Sequence, residues 1–261
     1  MLYKFGYMST STSSPVSEET RTVPVRFPIL PSEAQDAHDT PDARDDKYAE
    51  TVFPELGYAV VYKAYGADAE HDVPALLDLH LTALGVKHDA PCPIHRLDKT
   101  TAGLMLCAFT KKAAAALSAE MTDGEIRKRY AALVSPAADL PECGEMRDFL
   151  YFDKRSRKAY STAEGKRGAK EALLDYELGE SVRIKNTDAR VARIALRTGR
   201  THQIRAQFAA RRSPVIGDGK YGSRVNYSQP ALFSVSLELA ARGVRFDIDF
   251  AEASGLPAGT E

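Results

Sequence analysis

The stretch Pro93-Ile94-His95-Arg96-Leu97-Asp98-Lys99-Thr100-Thr101-Ala102-Gly103-Leu104 runs directly into Leu104-Met105-Leu106-Cys107-Ala108-Phe109, and no other part of the chain constrains the fold as tightly. A continuous apolar run of that length and composition reads as a buried strand. The polar residues ahead of it then occupy a loop that feeds the strand. His95, Arg96 and Asp98 lie within four residues of one another. In a loop tucked against a sheet they cannot all face solvent idly. The plain alternative is an Arg and an Asp pairing locally at a strand entrance.

With 261 residues, 44% of them hydrophobic, the chain can bury a substantial core in one large domain or two small ones. No run approaches the ~20 apolar residues of a membrane span. The N-terminus lacks the basic-then-apolar pattern of a secretory signal, so a cytoplasmic protein is expected. Cys92, Cys107 and Cys143 are odd in number and far apart, with neither a disulfide framework nor a C-x-x-C pattern. The six histidines have no ligand spacing. No metal and no cofactor are expected, and a monomer is assumed. The net charge of −1 argues at first against a nucleic-acid binder. Its distribution reverses that, because residues 1–50 hold five basic and nine acidic residues, a net of −4, leaving +3 on the rest. Positive charge gathered on one face can still hold RNA.

Residues 9–50 are rich in Ser, Thr, Pro, Asp and Glu, with one apolar island at Val23–Leu30 whose prolines forbid a helix, so that it is either an extended strip packed on the domain or part of a disordered tail. The preferred reading makes residues 1–50 an acidic, largely flexible tail with the island docked, residues 51–252 the folded domain and residues 253–261 a short second tail. Tyr58–Lys63 reads as a strand with a turn at Ala64-Tyr65-Gly66, and Pro74 opens a helix that Gly85 stops. Thr110 can cap a helix from Lys111 to Met121, with Ala113, Ala114, Leu117 and Met121 as its apolar stripe. Ile126–Val134 is a strand that puts Lys128, Tyr130 and Ala132 on one face. Antiparallel strands follow near residues 146–152, 158–162 and 171–178. Lys154, Arg155, Arg157 and Lys158 cluster at one hairpin, as a solvated charge run or as an RNA-backbone contact. After a strand at 189–196, Thr201 is the expected N-cap of a helix that holds Ile204 and Phe208 against the core. From Arg197 to Arg212 there are five arginines and no acids. Gly217-Asp218-Gly219 is a turn signal, and strands at 231–239 and 244–250 close the domain.

Three ordered strings go beyond this. His95-Arg96-Leu97-Asp98-x-x-Thr101-Ala102-Gly103-Leu104 resembles the active-site motif of RluA-type pseudouridine synthases, with Ala102 where that family has Ser. Lys128-Arg129-Tyr130-Ala131-Ala132-Leu133-Val134 is similar to the second motif of the same family. Thr198-Gly199-Arg200-Thr201-His202-Gln203-Ile204-Arg205 is similar to the third. Lys63-Ala64-Tyr65-Gly66 also resembles the family's Lys-Pro-x-Gly segment, with Ala64 in place of the proline, and Gly217-Asp218-Gly219-Lys220-Tyr221-Gly222 its Gly-Asp-x-x-Tyr-Gly segment. The resemblance covers roughly residues 55–250 and looks like the kind without an S4 domain. It implies an α+β pseudouridine-synthase fold, a mixed, mainly antiparallel sheet with a central RNA cleft. It also implies Asp98 as the catalytic carboxylate, Tyr130 stacked on the target base and Arg205 paired with Asp98. Arg96 would fill the space left by a flipped base. His95, Arg200, His202 and Gln203 are carried as further RNA contacts, Arg200 and His202 near a helix N-terminus that favours phosphate.

On this reading the chain isomerises uridines in tRNA or ribosomal RNA. Breaking N1–C1′, turning the uracil and joining C5 to C1′ needs no electron or group carrier. One carboxylate has to remain ionised in a site that excludes water, which gives an arginine partner a purpose. Two rivals are a non-catalytic RNA-binding factor and a carboxylate hydrolase. The first would normally show a changed Asp98, Tyr130 or Arg205. The second needs a paired acid.

Overall fold

The uninterrupted apolar run proves to be a strand with a hydrophobic layer on each side. Leu104, Leu106 and Ala108 enter one buried cluster, and Met105, Cys107 and Phe109 the other. A strand covered on both faces has no polar alternation to show, which is why its sequence reads as continuous. The computed structural model describes the backbone of residues 21–24, together with residues 52–184, 186–250 and 254. The rest of the expected tails lies outside the described residues.

In chain order the strands are β1 (Arg21–Pro24), β2 (Val52–Phe53), β3 (Tyr58–Lys63), β4 (Cys92–Pro93), β5 (Ala102–Ala108), β6 (Ile126–Val134), β7 (Cys143–Asp153), β8 (Lys158–Thr162), β9 (Lys170–Ile184), β10 (Thr187–Leu196), β11 (Leu232–Leu239) and β12 (Val244–Asp247). The helices are α1 (Asp72–Ala83), α2 (Lys111–Thr122) and α3 (Gln203–Ala210). One sheet runs β2-β3-β5-β11-β6-β10-β9-β7-β8, with β4 on β5 and with β12 linking β11 to β1. Only β5–β11 and β1–β12 pair parallel, so the sheet is mixed and mainly antiparallel, as the α+β expectation required.

The helices divide between the faces. Ala113 and Leu117 of α2 join one cluster, whereas Leu77 and Leu81 of α1 and Ile204 and Phe208 of α3 join the other. Thr110 caps α2 as expected, its hydroxyl accepting the Ala113 N–H at 3.2 Å. For α3 the expectation fails. The residue before its first turn is His202, in the left-handed region at φ 56, and it makes no side-chain cap bond. The reason is Gln203, whose Oε1 accepts from the Thr198 hydroxyl at 2.8 Å and from the Arg200 N–H at 2.9 Å. Its amide closes the turn that Thr201 was expected to close.

At the centre of the sheet, β6 lies between β11 and β10, with Tyr130 opposite Ser234 on one side and Ile194 on the other. The β6–β11 register slips between Ser234 and Ser236, beside Tyr130. Irregularities of this kind re-aim a side chain locally. Gly103 is fixed by the same neighbourhood. It holds φ 115, and a Cβ there would collide with the backbone of Ser234 on β11.

Candidate active site

Asp98 sits in the loop between β4 and β5, and mostly backbone bonds pin that loop. Ile94 N–H donates to Leu106 O at 2.9 Å, Thr101 N–H to Asp98 O at 2.9 Å and Gly66 N–H to Lys99 O at 2.8 Å. Leu97 is buried beneath it. His95 turns inward, its Nε2 accepting the Leu106 N–H at 3.1 Å. Burial, helped by the Lys128 charge, pulls this imidazole down to about 3, so it is neutral at ordinary pH. Arg96 points the other way. It reaches Glu70 at 3.0 Å and stays exposed, so the local Arg–Asp pair at the strand entrance does not form.

Lys63 belongs to this site although the sequence showed it only as a strand end and in a motif resemblance, with no role. It is fully buried, and its ammonium donates to Ala64 O and Ala67 O at 3.0 Å and to Lys99 O at 3.5 Å. Burial lowers it to about 8, against the raising influence of Asp98. This cation ties the turn after β3 to the loop carrying Asp98.

The opposite wall comes from α3 and the turn at residues 217–222. Arg205 was expected to grip Asp98 with its fork, but the fork is on Asp218 instead. Nε lies 2.6 Å from Oδ2 and Nη2 2.9 Å from Oδ1, with both residues buried. Only Nη1 faces Asp98, at 3.5 Å from Oδ2. The physical reason is placement. The turn carries Asp218 down behind α3, where it neutralises a guanidinium that could not otherwise be buried. Burial opposes the Arg205 charge, but the bond to Asp218 and the charges of Asp218 and Asp98 outweigh it and hold its pKa above the usual value.

His202 completes this wall. Its Nδ1 lies 2.9 Å from the Tyr221 hydroxyl, and its Nε2 faces Asp98 at 3.9 Å. Tyr221 Oη also accepts the Ala159 N–H at 2.8 Å, which fixes its ring between β8 and His202. Burial lowers His202 to about 4 in spite of Asp98, so it faces the carboxylate as a neutral ring.

Tyr130 closes the cleft from the sheet, with its ring almost wholly buried. Burial first, and the Asp98 charge second, push its phenol well above the usual range, so it stays protonated. Asp98, Tyr130 and Arg205 line one cavity of ≈ 260 Å³, together with His95, Arg96, Arg200, His202 and Gln203. That is small beside the ~300–1,000 Å³ of common ligand pockets. Not all of these side chains are available to a ligand. Gln203 spends its amide on Thr198, Arg200 and Leu173, and Arg200 Nε is given to Glu171 O at 2.8 Å. Among the described residues no group of three or more His, Cys, Asp or Glu side chains converges. None of their helices is long and apolar enough to cross a membrane.

Sequence reasoning missed Lys63, Asp218 and Tyr221 as parts of this site. The signal for the latter two was the Gly217–Gly222 string, which reads locally as a turn and otherwise only resembles a family segment to which no role was given.

The family model described as RNA pseudouridylate synthase matches residues 57–210. The chain is 32% identical over 152 residues to ribosomal large subunit pseudouridine synthase D of Xanthomonas campestris pv. campestris, covering 56% of this chain and 41% of that protein. It is also 32% identical over 161 residues to the dual-specificity RNA pseudouridine synthase RluA of Escherichia coli, covering 58% of this chain and 68% of that one. The chain thus spans less than half the length of the D-type relatives that it matches. Among solved structures, human RNA pseudouridylate synthase domain containing 4 superposes with a TM-score of 0.63 at 19% identity, covering 76% of this chain and 87% of that one.

Proposed function

The chain belongs to the RNA pseudouridylate synthase family, and on that premise we propose that it isomerises uridine to pseudouridine in structured RNA, with Asp98 as the reacting carboxylate. One observation carries the reading. Asp98 is the single acid among the cleft-lining residues, set among the cations Arg96, Lys128, Arg200 and Arg205. Cations around a concave site suit a phosphodiester backbone, and a lone acid in their midst calls for a chemical purpose. A carboxylate hydrolase would want a second acid in the cleft, and none lines it.

The reaction breaks N1–C1′, turns the uracil and forms C5–C1′. The proton lost from C5 is balanced by one gained at N1, so nothing else is consumed. Asp98 acts as nucleophile or base, with the Arg205 Nη1 charge 3.5 Å from its oxygen. Because Asp218 already fixes Arg205, the cation does not have to follow Asp98 when the carboxylate engages the ribose. Tyr130 serves as the stacking platform. Its protonated phenol is unsuited to act as a phenolate base. A base inside a stack cannot reach this cleft and has to be flipped out, at a cost of a few kcal/mol. Arg96 is well placed to support the gap. Its pairing with Glu70 is exposed, and such pairs contribute only ~0–1 kcal/mol, so exchanging Glu70 for RNA costs little. The named relatives point to ribosomal RNA as the first substrate to try, with tRNA second.

The test is tritium release from ribosomal RNA transcripts labelled at uridine C5. Wild type should release tritium. Asp98→Asn should release none while keeping its unfolding midpoint and most of its RNA affinity, because phosphate contacts supply the binding. Substantial pseudouridine formation by the Asn variant would overturn the assignment.

A further inference from the structure

Over much of this surface the arginines are matched by acids. Arg147 pairs with Glu171, Arg190 with Glu142, Arg197 with Asp175 and Glu145, and Arg242 with Glu120. The β7–β8 hairpin departs from that rule. Lys154, Arg155, Arg157 and Lys158 have no ion-pair partner among the described residues, and neither do Lys166, Arg167 and Lys170 after β8. Only Asp153 and Glu164 offset them within residues 151–170. Asp153 is engaged in the turn, where it accepts the Arg155 N–H at 2.9 Å and the Ser156 N–H at 3.3 Å.

Aromatic rings lie among these cations. Tyr160 is 42% exposed, with Lys158 Nζ 5.5 Å from its ring centre, and Lys166 Nζ lies 4.4 Å from that of Tyr151. The patch also adjoins the catalytic cleft through a single ring. Lys158 Nζ and Arg205 Cζ each lie 4.9 Å from the centre of Tyr221, whose hydroxyl bonds His202. Phe152 packs edge-on against His202 at 5.8 Å.

Like charges gathered without partners repel one another and weaken the folded state. Lys154, Arg155 and Arg167 are exposed and take no part in a core cluster, so packing does not account for them. A polyanion would relieve the repulsion. We propose that the β7–β8 hairpin and the turn after β8 form a second RNA-docking surface. It takes the phosphodiester backbone flanking the target nucleotide and stacks an unpaired base on Tyr160. The inference rests on RNA being the substrate of the cleft. An exposed ring among cations is the combination that holds single strands, the charges tracking the backbone and the ring taking a base. An anionic membrane would find no large exposed aliphatic side chain here, since Leu56 and Leu79, the exposed large aliphatics among the described residues, lie on other elements.

The test compares two triple variants of the full chain on one ribosomal RNA transcript with single-stranded flanks. The near variant is Lys154→Gln/Arg155→Gln/Arg167→Gln. The far variant is Lys87→Gln/Lys111→Gln/Lys112→Gln, which removes the same charge from other exposed positions. Each single-strand phosphate contact contributes roughly 0.7 to the slope of log affinity against log salt. The near variant should flatten that slope by about 2 and lower kcat/KM at least tenfold at moderate salt, with the single-turnover rate at saturating enzyme unchanged. The far variant should leave the slope in place. Tyr160→Ala should weaken the flanked transcript several-fold and leave a blunt stem-loop unaffected. Equal slopes for near variant and wild type, or equal flattening by both triples, would overturn the docking surface. So would loss of binding to phosphatidylserine vesicles with RNA affinity untouched. Tritium release separates this from the activity. Wild type that turns over alongside an undiminished near variant sinks the docking surface alone. A hairpin-dependent slope without tritium release sinks the activity alone.

Discussion

The loop carrying Asp98 and the helix carrying Arg205 face each other across one cleft, but they are fastened differently. The loop hangs on neutral backbone bonds from Thr101, Gly66 and Ile94, with Lys63 gathering three carbonyls beneath it. The helix wall is fastened through side chains instead, and the buried charge pair among them is Arg205 with Asp218. Backbone bonds survive most side-chain changes, because every residue brings the same peptide groups. A buried pair does not, because removing one member strands the other as an uncompensated charge. Asp98 thus sits on the tolerant wall and Arg205 on the intolerant one.

The largest effect expected from this contrast is that of Asp218→Ala. Stranding Arg205 should cost about 3–5 kcal/mol in urea unfolding. Lys99→Ala, on the other wall, should leave the unfolding midpoint in place, because there the carbonyl carries the bonds and the side chain is exposed. A small loss for Asp218→Ala would break the comparison. Next is Arg205→Lys, which keeps the charge and loses the fork. The ammonium should no longer be fixed relative to Asp98, and misplacement near 1 Å can cost ~100-fold in rate. Single-turnover measurements would check it, and an unchanged rate would mean that Asp98 works without a positioned cation.

A weaker effect marks where the two walls behave alike, since each holds one half-buried neutral histidine. Burial depresses His95 to about 3 and His202 to about 4. As pH falls below ~6.5 the unfolded chain takes up protons that the folded chain refuses, so stability drops towards pH 4. Above ~6.5 neither ring contributes a slope. His202→Asn should make the loss between pH 6.5 and 4 shallower, read as urea midpoints across that range. A slope as steep as wild type would assign the acid sensitivity elsewhere. The smallest effect expected is that of starting the chain at residue 51. This removes β1 and its pairing with β12, which branches from β11. Activity should stay within about twofold, with a modest fall in Tm. An insoluble product would place the N-terminal segment within the core.

Much of the scaffold was legible because it is written in local periodicity. Tyr58–Lys63 and Ile126–Val134 are strands with the bounds read from sequence, and Thr110 caps its helix through the Ala113 N–H. Each of these depends on residues within a few positions of one another. The start of α3 was not legible in this way, because the group that closes its turn is a side chain reaching back from inside the helix. Lys63 looked like the polar end of a strand. Its burial depends on carbonyls contributed by two separate loops.

The sequence by itself determined the order of strands and helices and the strings that gather at the cleft, because alternation, capping and turn chemistry act over a few residues. It left open which acid takes the Arg205 fork. Asp98 lies 107 positions before Arg205 and Asp218 13 after it, and either carboxylate has the right chemistry. Coulombic pairing in a dry interior falls to whichever group the backbone brings to hydrogen-bonding distance behind the guanidinium. That distance is 2.6 Å for Asp218 and 3.5 Å for Asp98. Only the turn at residues 217–222, packed behind α3, decides it.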